Sequence, residues 1–214
     1  EKDRRPRPDL PVLVLAGSRH PLSREQVKHA MDGGIAGLPV EGEKLSAPGW
    51  LDSEEAQDLA RQCADLLVEK GICILGTRMA MEGPPAAESP ANSGETAETG
   101  ETRETGETPA GALPETGEPE AMENVSGKLG SLLQKILPRT GPLCLVVFGG
   151  DTLLGIARAL EYDCITPLSE IRPGVVLARG EGPRGGGFMV TKAGAFGERD
   201  LVPLVWEWLK RDLD

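Results

Sequence analysis

Residues Cys144–Phe148 form an uninterrupted apolar run that ends at Gly149-Gly150, and Leu153, Ile156, Ala157 and Leu160 then recur at helical spacing. This reads as a short buried strand, a glycine turn and a helix, with Asp151 or Thr152 placed to cap the helix. Such a turn gathers bare N–H groups and the positive end of the helix dipole at one point, which suits a phosphate. Glycine lets an anion approach the backbone closely, and Thr152 could add a hydroxyl or help hold a metal. Most strand–glycine–helix turns are plain connections, so the turn alone leaves both readings open. Gly150 and Gly155 have the spacing of a P-loop, but Ile156-Ala157 stand where Lys and Ser/Thr should follow, which excludes that motif. No G-x-G-x-x-G joins a strand to a helix, which disfavours a nicotinamide oxidoreductase.

The remaining chain repeats the alternation. Val12–Ala16 is apolar throughout, as a strand covered on both faces would be. It ends in Gly17-Ser18, which is either a plain turn or a ligand contact at a strand's C-terminal end. Ser23 with Gln26 reads as a capping box for a helix running to Met31. A short strand follows within Ile35–Val40, then a loop from Glu41 to Pro48. Asp52 or Ser53 caps a long helix striped by Ala56, Leu59, Ala60, Cys63, Leu66 and Leu67, and Ile72–Leu75 is the next strand. A helix is read over Val125–Leu137, ended by Pro138 and Gly141-Pro142. Strands are read at Ile165–Ile171, Val175–Ala178 and Phe188–Thr191, with Gly180–Gly187 as a hairpin-type connection. A second glycine turn, Lys192–Gly197, carries a cation; Glu198-Arg199-Asp200 then starts the last helix. The pattern predicts a single α/β domain: a mostly parallel β-sheet with helices on both faces and ligand at the C-terminal strand ends.

Charge is unevenly distributed. Of the net −11, the stretch from Glu82 to Asn124 carries −10, with 11 acidic residues against Arg103 alone. This stretch contains a run of x-Glu-Thr triplets and no aromatic residue, so it reads as a disordered acidic insertion between 12–81 and 125–214. The rest is close to neutral and offers no footprint for nucleic acid or membrane. Residues 1–11 are charged and proline-rich, a linker. The start at Glu1, without a Met, suggests a processed chain or a fragment. No apolar run approaches the ~18 residues of a membrane span, and no signal-peptide core is present. Four dispersed cysteines without C-x-x-C fit a reducing cytoplasmic setting and no metal site. His20 and His29 stand alone, as turn or solvated residues.

Taken together, Gly17-Ser18 before a capped helix, then Gly149-Gly150-Asp151-Thr152, then Pro173-Gly174-Val175, then Thr191–Gly197 follow one another in an order that resembles the C-terminal nucleotide-binding domain of the four-carbon acid sugar kinase family. The likeness covers nearly the whole chain outside 82–124. It implies ATP and Mg²⁺ as cofactors and a tetronate-type sugar acid as acceptor, held by an N-terminal domain that this chain does not contain. It also implies nucleotide contacts from Ser18, from Gly149, Gly150, Asp151 and Thr152, and from Gly194; Lys192 is the added cation, though a solvated turn lysine is its other reading. Several positions depart from the family pattern: His20 replaces a Ser, Ser23 a Thr, Phe148 a Thr and Ala193 a Ser, each removing or altering a hydroxyl. Two functions follow as expectations: the ATP-binding half of a sugar-acid kinase, inactive alone, or a non-catalytic interaction domain that keeps the fold.

Overall fold

A strand that is apolar at every position must be covered on both faces, and β1 (Val12–Ala16) shows how the chain meets that demand. Leu13 and Leu15 enter one buried cluster, while Val12, Val14 and Ala16 enter another. Each fully buried Leu or Val side chain contributes roughly 1.5–3 kcal/mol. The computed structural model of the chain describes residues 6–82 and 119–211, with the side chains of the second stretch from Val125 onward. Most of the acidic segment read at 82–124, and residues 1–5 of the linker, lie outside the described residues.

The elements after β1 are α1 (Pro21–Asp32), β2 (Gly37–Val40), α2 (Gly42–Ser46), α3 (Glu54–Lys70), β3 (Ile72–Thr77), α4 (Arg78–Met81), α5 (Pro119–Thr140), β4 (Cys144–Phe148), α6 (Gly150–Ala159), β5 (Cys164–Arg172), β6 (Val175–Gly182), β7 (Gly185–Lys192) and α7 (Leu201–Lys210). They form one seven-stranded sheet in the order β2-β3-β1-β4-β7-β6-β5. The first five strands in that order are mutually parallel, and β6 and β5 are antiparallel additions at one edge. Buried residues of α2, α3, α5 and α6 cover the Leu13/Leu15 face, and those of α1, α4 and α7 cover the other. This is the α/β sheet with helices on both faces that the alternation predicts. Among the described residues, no helix is long and apolar enough to cross a membrane.

Local details depart from expectation for identifiable reasons. The loop expected over 41–48 contains α2, pinned by Leu45, which is fully buried. Helix α5 continues past Pro138 to Thr140, because a proline in the last turn removes only its own backward bond. The Gly141 amide still closes onto the Leu137 carbonyl at 2.9 Å. Gly180–Gly187 is a hairpin as expected, but its connection is only Pro183-Arg184; the flanking residues are the paired ends of β6 and β7. Tyr162 explains two of the glycines, Gly180 and Gly187. A methyl group at Gly180 would come within 2.3 Å of its ring, and one at Gly187 within 2.7 Å of its hydroxyl. The last helix starts at Leu201, after the Glu198–Asp200 segment.

Candidate functional site

Strands β1 and β4 lie side by side, with Ala16 opposite Phe148 at their C-terminal ends. From there the chain leaves β1 for α1 on one face and β4 for α6 on the other. Neighbouring connections that part to opposite faces leave a crevice at the strand ends, where open α/β sheets take their ligands. Strand β7 flanks β4 on the other side, with Lys192 opposite Phe148. The sheet therefore sets Gly17-Ser18, Gly149–Thr152 and Lys192–Gly197 along one rim.

The bend after β4 is built from backbone. Gly149 has φ 102° and ψ 142°, a region that L side chains avoid, and a methyl group there would meet Ser18 Cβ at 3.2 Å. It is the N-cap of α6 and makes no side-chain capping bond. This corrects the expectation that Asp151 or Thr152 caps the helix; both lie inside its first turn. The first helical hydrogen bond runs from the Leu153 amide to the Gly149 carbonyl at 3.1 Å. The amides of Gly150, Asp151 and Thr152 thus have no intrahelical acceptor. Gly150 faces open space and Asp151 is exposed. Thr152 is buried, and its hydroxyl lies under Gly17, where a methyl group would approach Oγ1 to 2.2 Å. Ser18 is half-buried, its Oγ accepting from the His20 amide at 3.3 Å. Close approach of helix backbones fixes α6 in place: a methyl group at Gly155 would lie 2.3 Å from the Ser126 carbonyl of α5.

The bend after β7 is held by side chains. Lys192 is buried, only 3% exposed. Its ammonium donates to Ser23 Oγ and to the Gly194 carbonyl, both at 2.8 Å, and stands 5.0 Å from the centre of the Phe148 ring. No carboxylate forms an ion pair with it among the described residues. Burial without a counter-charge pushes its pKa down to about 8. Gln26 is fully buried, and its Nε2 donates to the Phe196 carbonyl at 3.1 Å and the Glu198 carbonyl at 2.9 Å. Two carbonyl acceptors dictate the amide's orientation and leave its Oε1 buried without a partner. Such an orphan costs about 1–3 kcal/mol. The amides of Gly194, Ala195 and Gly197 find no acceptor among the described residues. Gly194 also packs under the His20 ring, whose Cδ2 would lie 3.3 Å from a methyl group at Gly194.

Ser23 and Gln26 overturn the capping-box reading. Helix α1 is capped by His20, whose Nδ1 accepts from the Leu22 amide at 3.3 Å, with Pro21 at the first helical position. The sequence carries a signal for their true role. Ser23, Gln26, Val27 and Ala30 fall on one helical face, so two polar residues occupy the buried stripe.

Enclosed volume and donor chemistry do not coincide. A cavity of about 670 Å³ opens at the opposite end of β4 and β7, lined by Leu143, Tyr162, Arg179 and Arg184 among others. Its three arginines are already engaged: Arg184 with Glu161 at 2.6 Å, Arg179 with Glu181 at 3.2 Å and Arg7 with Asp9 at 3.7 Å. The glycine rim, at the other strand ends, holds the acceptor-free amides and the uncompensated cation, the groups an anion needs.

A doubly wound sheet whose connections part to opposite faces above its strand ends defines an open α/β domain. The model of the nucleotide-binding C-terminal domain family matches residues 13–202, and the chain belongs to that family, the C-terminal domain of four-carbon acid sugar kinases. The D-threonate kinase of Bordetella bronchiseptica is 33% identical over 193 residues, 90% of this chain; the chain spans 38% of that enzyme's length. A crystal structure of a domain of unknown function from the same organism, a domain-swapped dimer with bound citrate, superposes with a TM-score of 0.61 at 21% identity, over 94% of this chain and 41% of its own. A Haemophilus influenzae structure superposes at 0.59 and 14% identity, over 94% of this chain and 40% of its own. At these identities the two structures speak for the fold.

Proposed function

We propose that this chain is the ATP-binding domain of a four-carbon acid sugar kinase, transferring a phosphoryl group from ATP to a tetronate-type acid. The observation that carries this reading is the pairing of Phe148 with Lys192 at the ends of β4 and β7, which makes the two glycine bends neighbours. The Gly150, Asp151 and Thr152 amides receive one part of the polyphosphate and the Gly194, Ala195 and Gly197 amides another. Lys192 lies beneath them and offsets their charge. Ser18 and Gly194 border the nucleotide. Thr152 acts through its amide and by supporting Gly17, since its hydroxyl is buried. Among the described residues no three His, Cys, Asp or Glu side chains gather as a metal site. Mg²⁺ fits this rim as an ion carried by the phosphates with Asp151 as protein ligand, a mode it favours. It would supply neutralisation of the phosphate charge. The sugar acid is held by the part of the longer relatives that this chain does not span. Phosphoryl transfer rests on positioning and charge stabilisation, so this chain alone binds without turning over.

The test is calorimetric titration of ATP and Mg²⁺ into the chain and into Gly150→Val. A side chain at Gly150 enters open space, so the variant keeps its Tm while its bulk fills the seat. Affinity lower by at least tenfold supports the reading. Equal weak heats for both proteins remove the site.

A further inference from the structure

We infer that Ser23 and Gln26 of α1 are positioning residues that hold the bend 193–198 in the shape able to receive a phosphate; this rests on the nucleotide reading above. Three carbonyls of the bend, those of Gly194, Phe196 and Glu198, accept from side chains. All three are drawn to one side, toward Lys192 and Gln26. The amides of Gly194, Ala195 and Gly197 are the ones left without acceptors among the described residues. Gln26 supplies two of the three restraints and Lys192 the third. Ser23 steadies the lysine: its Oγ accepts from Nζ at 2.8 Å and its own hydroxyl reaches the Gly194 carbonyl at 3.5 Å. The bonds span about 170 residues of sequence, 169 for Lys192 to Ser23 and 172 for Gln26 to Glu198. They therefore couple the helix after β1 to the bend after β7, across the crevice between their strands. The buried orphan oxygen of Gln26 is the mark of this arrangement. A glutamine serving only to fill space is outdone by an apolar residue of equal length.

Two variants test the clamp. Gln26→Met keeps the length and removes the donors and the orphan together, so the fold is retained; Ser23→Ala removes only the hydroxyl. Hydrogen exchange is measured on the free chain, and ATP–Mg²⁺ affinity is measured across pH. In Gln26→Met, the hydrogen-bonded amides of the bend, Ala193 and Phe196, exchange at least tenfold faster while those of β1 and β4 keep their protection, and ATP affinity falls about tenfold. In Ser23→Ala, the pH at which ATP affinity falls moves downward, because Lys192 has lost an acceptor that favours its charged form. A loss of general stability does not produce that shift. The groups packed on the Lys192 ammonium are Ser23 from α1, Gly194 from its own bend and the Phe148 ring from β4, with His20 beyond Gly194. Unchanged exchange in Gln26→Met overturns the clamp. Faster exchange with unchanged ATP affinity overturns the positioning role alone. A wild-type chain that takes up no ATP overturns the nucleotide reading and the positioning role together.

Discussion

The two glycine bends present comparable arrays of free amides but are held in unlike ways. The bend after β4 is fixed by backbone. Gly149 adopts a conformation other residues resist, α6 starts without a side-chain cap, and the helix is seated by glycine contacts with α5. The bend after β7 is fixed by side chains reaching from α1 and from Lys192 itself. Ala193 and Ala195 sit exposed within it without strain. The first bend thus fails when a Cβ is added at Gly149. The second carries Cβ atoms at 193 and 195, resists one at Gly197 (φ 79°), and depends besides on donors from α1.

The sharpest break in that comparison comes from adjacent glycines. Gly149→Val forces a β-branched residue to φ 102° and against Ser18. Backbone strain of this type costs about 1–3 kcal/mol. At roughly 2–4 °C per kcal/mol for a chain of this size, thermal denaturation should show Tm lower by about 2–12 °C, and ATP affinity should fall with it. Gly150→Val, one residue on, should lower affinity at unchanged Tm. A Gly149→Val chain as stable as wild type would mean that the first bend is not held by its backbone.

The difference between the bends also decides what could be read from the sequence. Continuous apolar runs at 12–16, 72–75 and 144–148 declare strands covered on both faces, since no exposed strand can carry them. They are all present, in parallel register. Glycines that end those runs are likewise visible, and the first bend needs nothing more. The second bend depends on Ser23 and Gln26, whose partners lie some 170 residues away. A local rule gives those two residues a local job, the capping box, and His20 holds that job instead. The glycines of 180–187 misled for the same reason. Gly180 and Gly187 make room for Tyr162 and Gly182 for the Glu161 carbonyl, neighbours in space that leave no periodic trace.

A smaller effect probes the seam between β1 and β4. Gly17→Ala drives a methyl group to 2.2 Å from Thr152 Oγ1, and overpacking of this type costs about 1–3 kcal/mol. With the hydroxyl removed in Gly17→Ala/Thr152→Ala, the nearest remaining atom of residue 152 is Cβ at 3.4 Å, an ordinary contact. Chemical denaturation of the four proteins of this double-mutant cycle should give a coupling of about 1–2 kcal/mol, with the double variant more stable than the sum of the single changes. Additive effects would place the constraint on Gly17 somewhere other than Thr152.

The smallest effect separates charge from scaffolding at Lys192. Its ordinary value is 10.5 and burial lowers it to about 8 in the folded chain. Between these values the unfolded chain binds the extra proton, so stability rises with pH across that window. Below pH 8 the ammonium is charged in both states, and the folded protein bears the cost of burying it. Phosphate affinity has the opposite sign: it depends on the charged form and declines as pH passes 8. Wild type should therefore become more resistant to urea and bind ATP several-fold more weakly between pH 7.5 and about 9.5. Lys192→Met should flatten both trends, since the other titrating groups remain and cancel in the difference. Ser23, Gly194 and Phe148, the groups in contact with the ammonium, do not titrate in this range. Profiles that superimpose for wild type and Lys192→Met would show that Lys192 serves the second bend only as a hydrogen-bond donor, its charge idle, and would leave the amides alone to hold the anion.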